Sequence, residues 1–83
     1  MKPAVVRALV EAHELETLER AAETFETSLE NTLNVEGGDD GEILSHLLVS
    51  IFVKKKMAKG LALNEALREY SQKVRKIIAP AKK

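Results

Sequence analysis

The 83-residue chain contains no cysteine and no tryptophan, and its only aromatic side chains are Phe25, Phe52 and Tyr70. Without cysteine it forms neither disulfides nor thiolate metal sites, on which small secreted domains usually depend. Its two prolines and four glycines lie where predicted helices begin or end. We therefore expect a single small cytoplasmic domain that is stabilised by packed helices or by self-association.

Long apolar runs are also missing from the sequence. The longest, at residues 47–49 and 51–53, fall far short of the roughly 20 residues that a membrane-spanning helix needs. The apolar residues after Pro3 are interrupted by Arg7 and Glu11, which is not typical of a signal peptide. We expect no signal peptide and no association with a membrane.

The formal net charge is zero, but the two signs of charge are separated along the chain. Residues 1–42, the acidic half, carry eleven acidic and three basic side chains. Residues 43–83, the basic half, carry two acidic and ten basic ones. Each half therefore favours an oppositely charged surface, either on the other half of the chain or on another molecule.

The composition favours helices, because alanine, leucine, glutamate and lysine are its main residues. Apolar residues recur at intervals of three and four, and they predict four helices, at residues 3–12, 14–31, 40–59 and 64–79. The first two are separated at His13 unless they form one continuous helix, and Asn64 is the predicted N-cap of the fourth. We predict an all-α fold, a small bundle of three to four helices with a central apolar third helix.

The third predicted helix is apolar on almost every side, so almost every side needs cover. A broad arc is formed by Ile43, Leu44, Leu47, Leu48, Ile51 and Phe52. A second stripe on the other side consists of Val49, Val53 and Met57. We expect a homodimer with this second stripe at its interface, unless the first helix folds over it and leaves a monomer.

The loop at residues 34–41 contains three glycines but does not resemble a phosphate-binding loop. Such a loop requires a lysine followed by serine or threonine after its last glycine, whereas Glu42 and Ile43 follow Gly41. Asp39 and Asp40 would also repel an anion. We interpret the loop as a flexible connector that ends in an aspartate helix cap.

Candidate catalytic and metal-binding residues are few, and we predict no enzyme activity, no cofactor and no metal site. The spacing of His13 with Glu16, and of Glu42 with His46, would place each pair on one face of a helix, and Glu42 with His46 would be the first pair to examine for a metal. Metal-binding bundles, however, draw further carboxylates from other helices, and here the inward positions of those helices are apolar. We interpret His13 as a helix-boundary residue and His46 as a hydrogen-bonded residue of the interior.

Basic side chains of the third and fourth predicted helices form a candidate binding face for an acidic protein partner. They are Lys54, Lys55, Lys56, Lys59, Arg68, Arg75 and Lys76. Nucleic acid is the alternative partner, since four to six such charges can contact phosphates. The sequence pI of 6.7 and the expected burial of Tyr70 disfavour it. In a third interpretation, the acidic half simply lies against the basic half within one bundle.

Several short motifs resemble a family of short, all-helical bacterial proteins with no established activity. They lie at residues 5–10 (VVRALV), at His13 with Leu15 and Leu18, at 35–37 (VEG), at Gly41, Glu42 and His46, and at 66–70 (ALREY) with Val74 and Arg75. The resemblance implies a helical fold and supplies no functional residue, cofactor or partner. We therefore expect a small non-enzymatic interaction protein that self-associates and presents separate acidic and basic faces to a protein partner.

Overall fold

The computed structural model describes the backbone of residues 2–78 and the side chains of residues 2–73. Over this range the chain forms four helices: α1 (Pro3–Ala12), α2 (Leu15–Ser28), α3 (Asp40–Ala58) and α4 (Leu63–Ile78). No strand occurs between residues 2 and 78. The predicted all-α bundle is confirmed.

The central helix is α3, since α1, α2 and α4 each pack against it. Two apolar clusters result. One lies between α2 and α3 and consists of Leu9, Leu18, Ala21, Ala22, Phe25, Val35 and Leu47. The other joins α1, α3 and α4 and consists of Val6, Val10, Val49, Val53 and Ala66. Because α1 contributes to both clusters, it links the two sides of the bundle.

The ends of α1 and α2 follow from local backbone geometry. His13 is extended, with φ −133° and ψ 152°, so α1 and α2 are separate helices. The second helix ends at Ser28, earlier than the predicted residue 31, because Leu29 adopts a left-handed conformation with φ 60°. The backbone N–H of Leu29 still donates to the carbonyl of Phe25 at 2.9 Å, which closes the last turn.

The first turn of α3 is capped by side chains from its own start. Asp39 Oδ1 accepts a hydrogen bond from the backbone N–H of Glu42 at 2.8 Å, as expected of an aspartate cap. The carboxylate of Glu42 reaches back and accepts from the backbone N–H of Gly38 at 2.7 Å. This reciprocal arrangement resembles a capping box displaced by one residue, and it holds the loop against the helix.

The start of α4 differs from the prediction that Asn64 is its N-cap. The helix begins one residue earlier, at Leu63, and Glu65 accepts a hydrogen bond from the backbone N–H of Ala62 at 2.9 Å. Asn64 lies in the first turn, where its side-chain oxygen accepts from Arg7 of α1 at 3.0 Å. The amide of Asn64 therefore joins two helices and does not cap one.

The structure corrects the predicted position of the uncovered side of α3. Val49 and Val53 are 1% and 0% exposed, because Val6 and Val10 of α1 pack over them. Within the predicted stripe only Met57, which is 36% exposed, remains at the surface. Val49 and Val53 are thus buried within one chain and do not form an interface with a partner. Self-association itself stays a prediction.

Candidate interaction surfaces

The one histidine in the interior, His46, uses both ring nitrogens to hold backbone groups. It is 0% exposed and lies on α3. Its Nδ1 is 2.7 Å from the carbonyl oxygen of Glu36, and its Nε2 is 3.0 Å from the backbone nitrogen of Lys2. A carbonyl only accepts and a backbone N–H only donates, so Nδ1 carries the proton and Nε2 is the acceptor. The ring therefore connects the start of the chain, the loop before α3 and α3 itself.

The other polar groups near His46 also have structural partners. Ser50 donates a hydrogen bond to the carbonyl of His46 at 2.7 Å. The pKa of Glu42 is lowered, mainly because its carboxylate accepts the hydrogen bond from the Gly38 backbone. Across the side chains of residues 2–73 no three histidine, aspartate or glutamate residues are grouped so that they could hold a metal ion. His13 is half-buried and lies at the boundary between α1 and α2, as its interpretation required.

The acidic half places a row of carboxylates along the outer face of α2 and just beyond its end. The row, here called the acidic surface, consists of Glu16, Glu19, Glu23, Glu26 and Glu30, and all five are exposed. The spacing of three and four residues keeps the first four on one side of α2, opposite Leu18, Ala22 and Phe25, and Glu30 lies just beyond the end of the helix. The fold therefore leaves this acidic row in contact with solvent.

The predicted basic face lies at the C-terminal end of α3 and on the first turns of α4. Lys55, Lys59 and Arg68 are exposed, and Lys54 and Lys56 are half-buried. These five residues are called the basic surface below. The side chains of Arg75 and Lys76, which belong to the same prediction, lie outside the described residues.

Folding does not bring the two charge groups together extensively. Among the side chains of residues 2–73, the ion pairs are Lys2–Glu36, Arg20–Glu16, Lys56–Glu69 and Lys55–Glu19. Only Lys55–Glu19 joins the acidic half to the basic half, and its 3.8 Å separation is the longest of the four. The interpretation in which one half neutralises the other is therefore supported at a single contact, and the charge separation persists at the surface.

An aromatic and cationic cluster on the α3–α4 junction was not expected from the sequence. Tyr70 packs edge-on against Phe52, with 5.4 Å between ring centroids. The ammonium groups of Lys56 and Lys73 lie 5.5 Å and 5.3 Å from the centroid of Phe52, within the range of cation–π contact. Lys73 was absent from the predicted basic face, although its position three residues after Tyr70 places it on the same side of α4.

A second surface on α3 lies on the side away from α1. Leu48 is 46% exposed at its centre, flanked by the exposed residues Gly41, Ser45 and Lys55. Leu44, Ile51 and Phe52 border it and are half-buried. These seven residues are called the Leu48 face below. The sequence showed this arc as apolar, but it did not show that the arc would be the less covered side.

No helix between residues 2 and 78 is both long enough and apolar enough to span a membrane. The fold and these surfaces define a small all-α protein in which a buried histidine holds the first residues and the loop before α3 in place. The chain belongs to a family of unknown function (DUF6952), whose model matches residues 1–79. The resemblance to a helical family without established activity is confirmed, and a bacterial origin stays an expectation. No curated protein and no solved structure matches the chain.

Proposed function

We propose that this protein is a cytoplasmic, non-enzymatic interaction protein that self-associates and presents its acidic and basic surfaces to a protein partner. The observation that carries the proposal is the persistence of charge separation after folding. The acidic surface is exposed along α2, and a single described ion pair connects it to the basic surface. Separated charges of this kind steer encounter and select partners more than they add affinity.

The lack of enzymatic activity in this proposal is supported by how the buried polar groups are used. General acid–base catalysis requires a titratable group that can reach a substrate. His46 is 0% exposed and both its nitrogens contact backbone groups, while the hydroxyl of Ser50 donates to a carbonyl of its own helix. These side chains stabilise the fold, so binding through the surface is the activity that the fold best supports.

The proposal is tested with two short probe peptides, one rich in lysine and one rich in glutamate, by fluorescence anisotropy. We expect both to bind at low salt and to weaken as salt is added, because exposed charges are screened. The double charge-reversal variant Glu23→Lys, Glu26→Lys should no longer bind the lysine-rich peptide. Its binding of the glutamate-rich peptide should be unchanged. The control is the charge-reversal variant Glu11→Lys on α1, which should change binding of the lysine-rich peptide much less.

Two outcomes would contradict the charged-surface proposal. One is equal binding of an uncharged peptide of the same length, which would point to apolar contact. The other is no binding of either charged peptide at low salt. Self-association is a separate part of the proposal and is measured separately, by sedimentation of the unmodified chain.

Nucleic acid is the second candidate partner, and the cluster at Phe52 is the observation in its favour. Phe52 is half-buried and two ammonium groups lie near its ring, so a base and a phosphate have contacts there. Against this, Lys56 is paired with Glu69 at 2.8 Å. A gel-shift titration with single- and double-stranded DNA and RNA at low salt decides it. We expect no shift, and a shift that Lys73→Glu removes would favour nucleic acid over protein.

A further inference from the structure

We propose that the Leu48 face binds a second copy of this chain, with the two α3 helices antiparallel and Leu48 of each copy in contact at the twofold axis. The inference depends on the proposed function, since it locates the self-association proposed there. It also moves the interface from Val49 and Val53, which α1 covers, to the opposite side of the same helix.

The first argument is the spacing of apolar residues around Leu48. An α-helix rises about 1.5 Å and turns about 100° per residue, so Leu44 lies about 6 Å before Leu48 and Ile51 about 4.5 Å after it. Both are displaced toward the same side of the line through Leu48, by roughly 40° and 60°. In an antiparallel twofold pair, Leu44 of one copy therefore meets Ile51 of the other. Both side chains are half-buried and leave apolar surface exposed.

The second argument is charge complementarity along the same line. Asp40 lies about 12 Å before Leu48, and Lys55 lies about 10.5 Å after it on the same side. Both are exposed. The antiparallel arrangement brings Asp40 of each copy to Lys55 of the other, so one twofold axis generates two opposite-charge contacts. A parallel arrangement would instead place like charges together at both ends.

The third argument is that the charges at the two ends of α3 are complementary to those of a second α3 helix. The first turn of α3 carries Asp40 and Glu42, and its last turn carries Lys55 and Lys56. Two such helices side by side are attracted only when they run in opposite directions. The exposed apolar centre is small, since Leu48 is exposed whereas the other large apolar side chains of this face, Leu44, Ile51 and Phe52, are half-buried. We therefore expect a weak, concentration-dependent dimer and not an obligate one.

The test is sedimentation velocity on the full chain over a concentration series up to about 1 mM, where weak dimers are populated. We expect Leu48→Glu to raise the dissociation constant by at least about 30-fold, as a central interface residue does. The matched control is Leu29→Glu, which changes an even more exposed leucine, 62% exposed, directly after α2 and outside this face. It should leave the dissociation constant within about twofold. Circular dichroism checks that both variants stay folded.

The sedimentation results distinguish a wrong interface location from a wrong proposal of self-association. Dimerisation of Leu48→Glu at the level of the unmodified chain would overturn the location and leave self-association standing. A monomer at every concentration would overturn both, while the binding of charged peptides remains a separate measurement.

The orientation is tested by charge reversal. Asp40→Lys and Lys55→Glu should each weaken the antiparallel dimer, because each creates two like-charge contacts. The double variant should recover association, because the exchanged charges again attract. It also carries the folding effects of both single variants, so recovered association reports the interface alone. No recovery, with both single variants weakened, would overturn the antiparallel arrangement.

Discussion

The two sides of α3 are similar in the sequence and different in the structure. The side toward α1 carries Val49 and Val53 with His46 and Ser50, and all four are buried. The side away from α1 carries Leu48, which is 46% exposed. Hydrophobicity alone did not distinguish them. The difference arises because α1 contributes Val6 and Val10 to one side, whereas Leu48 packs against neither apolar cluster of the described side chains.

The largest expected effect is the loss of stability when a carboxylate is placed on the covered side of α3, compared with the exposed side. Val53→Asp places a carboxylate at a position that is 0% exposed, among Val6, Val10 and Ala66. We expect a loss of more than about 4 kcal/mol in the free energy of unfolding, because a buried unpaired charge is costly. For a domain this small, such a loss unfolds most of the population. Thermal unfolding followed by circular dichroism measures it.

The control for this contrast is Leu48→Asp, the same type of change on the other side of α3. It should shift the free energy of unfolding by less than about 1 kcal/mol at low protein concentration, because the new carboxylate reaches water. Similar losses for the two variants would show that the two sides do not differ in coverage as the structure indicates.

The next effect concerns the stability that His46 contributes on the covered side of α3. His46→Ala removes a fully buried ring and leaves the Lys2 N–H and the Glu36 carbonyl without their partner. We expect a loss of about 3 kcal/mol, from the cavity and from the unpaired backbone groups together. Urea unfolding gives the value. Ser45→Ala, an exposed neighbour on the same helix, should change stability by less than about 0.5 kcal/mol. An equally small effect for His46→Ala would argue against its role in joining three segments.

The sequence predicted the helices and the central position of α3. It did not predict which side of α3 is covered by another helix. The spacing of apolar residues predicted four helices and identified the third as central. The aspartate cap of α3 and the interior position of His46 also followed from local rules. Periodicity, however, assigns residues to helix faces without stating which helix covers which face. That depends on where α1 folds back, which is a tertiary property.

The partners of His46 and Asn64 show the same limit of local reasoning. His46 contacts the backbone of Lys2, which is 44 residues away, and Asn64 contacts Arg7, which is 57 residues away. Neither contact leaves a sequence signal, because a backbone group has no side-chain identity and an asparagine before a helix is typical of a cap. The exposure of Leu48 could likewise not be predicted, because the sequence shows Leu48 only as one of several apolar residues in the same arc.

A smaller effect tests how closely the loop before α3 approaches it. A Cβ added at Gly37 would lie 2.7 Å from Ile43 Cγ1 and 3.0 Å from the backbone nitrogen of Ile43. Because backbone cannot give way as a side chain does, we expect Gly37→Ala to cost about 1–3 kcal/mol. Gly38→Ala is the matched control, since its nearest contact is the flexible carboxylate of Glu42 at 3.4 Å. Urea unfolding of the two variants compares them, and equal stability would mean that the loop is not tightly packed.

The smallest effect is a pH dependence at the same junction. The pKa of Glu42 is lowered below its ordinary value of 4.5, chiefly by the hydrogen bond from the Gly38 backbone. A carboxyl whose pKa is lower in the folded state adds stability above its ordinary pKa, and this contribution is lost as the pH falls through the lowered value. Glu42→Gln keeps an acceptor but no charge, so it should be less stable than the unmodified chain at neutral pH, and the difference should vanish once the pH lies below the lowered pKa of Glu42, where both side chains are neutral. Other titrating groups act on both proteins alike, so urea midpoints at the two pH values isolate this carboxylate. A difference that persists unchanged at low pH would mean that Glu42 stabilises the junction through its shape and not through its charge.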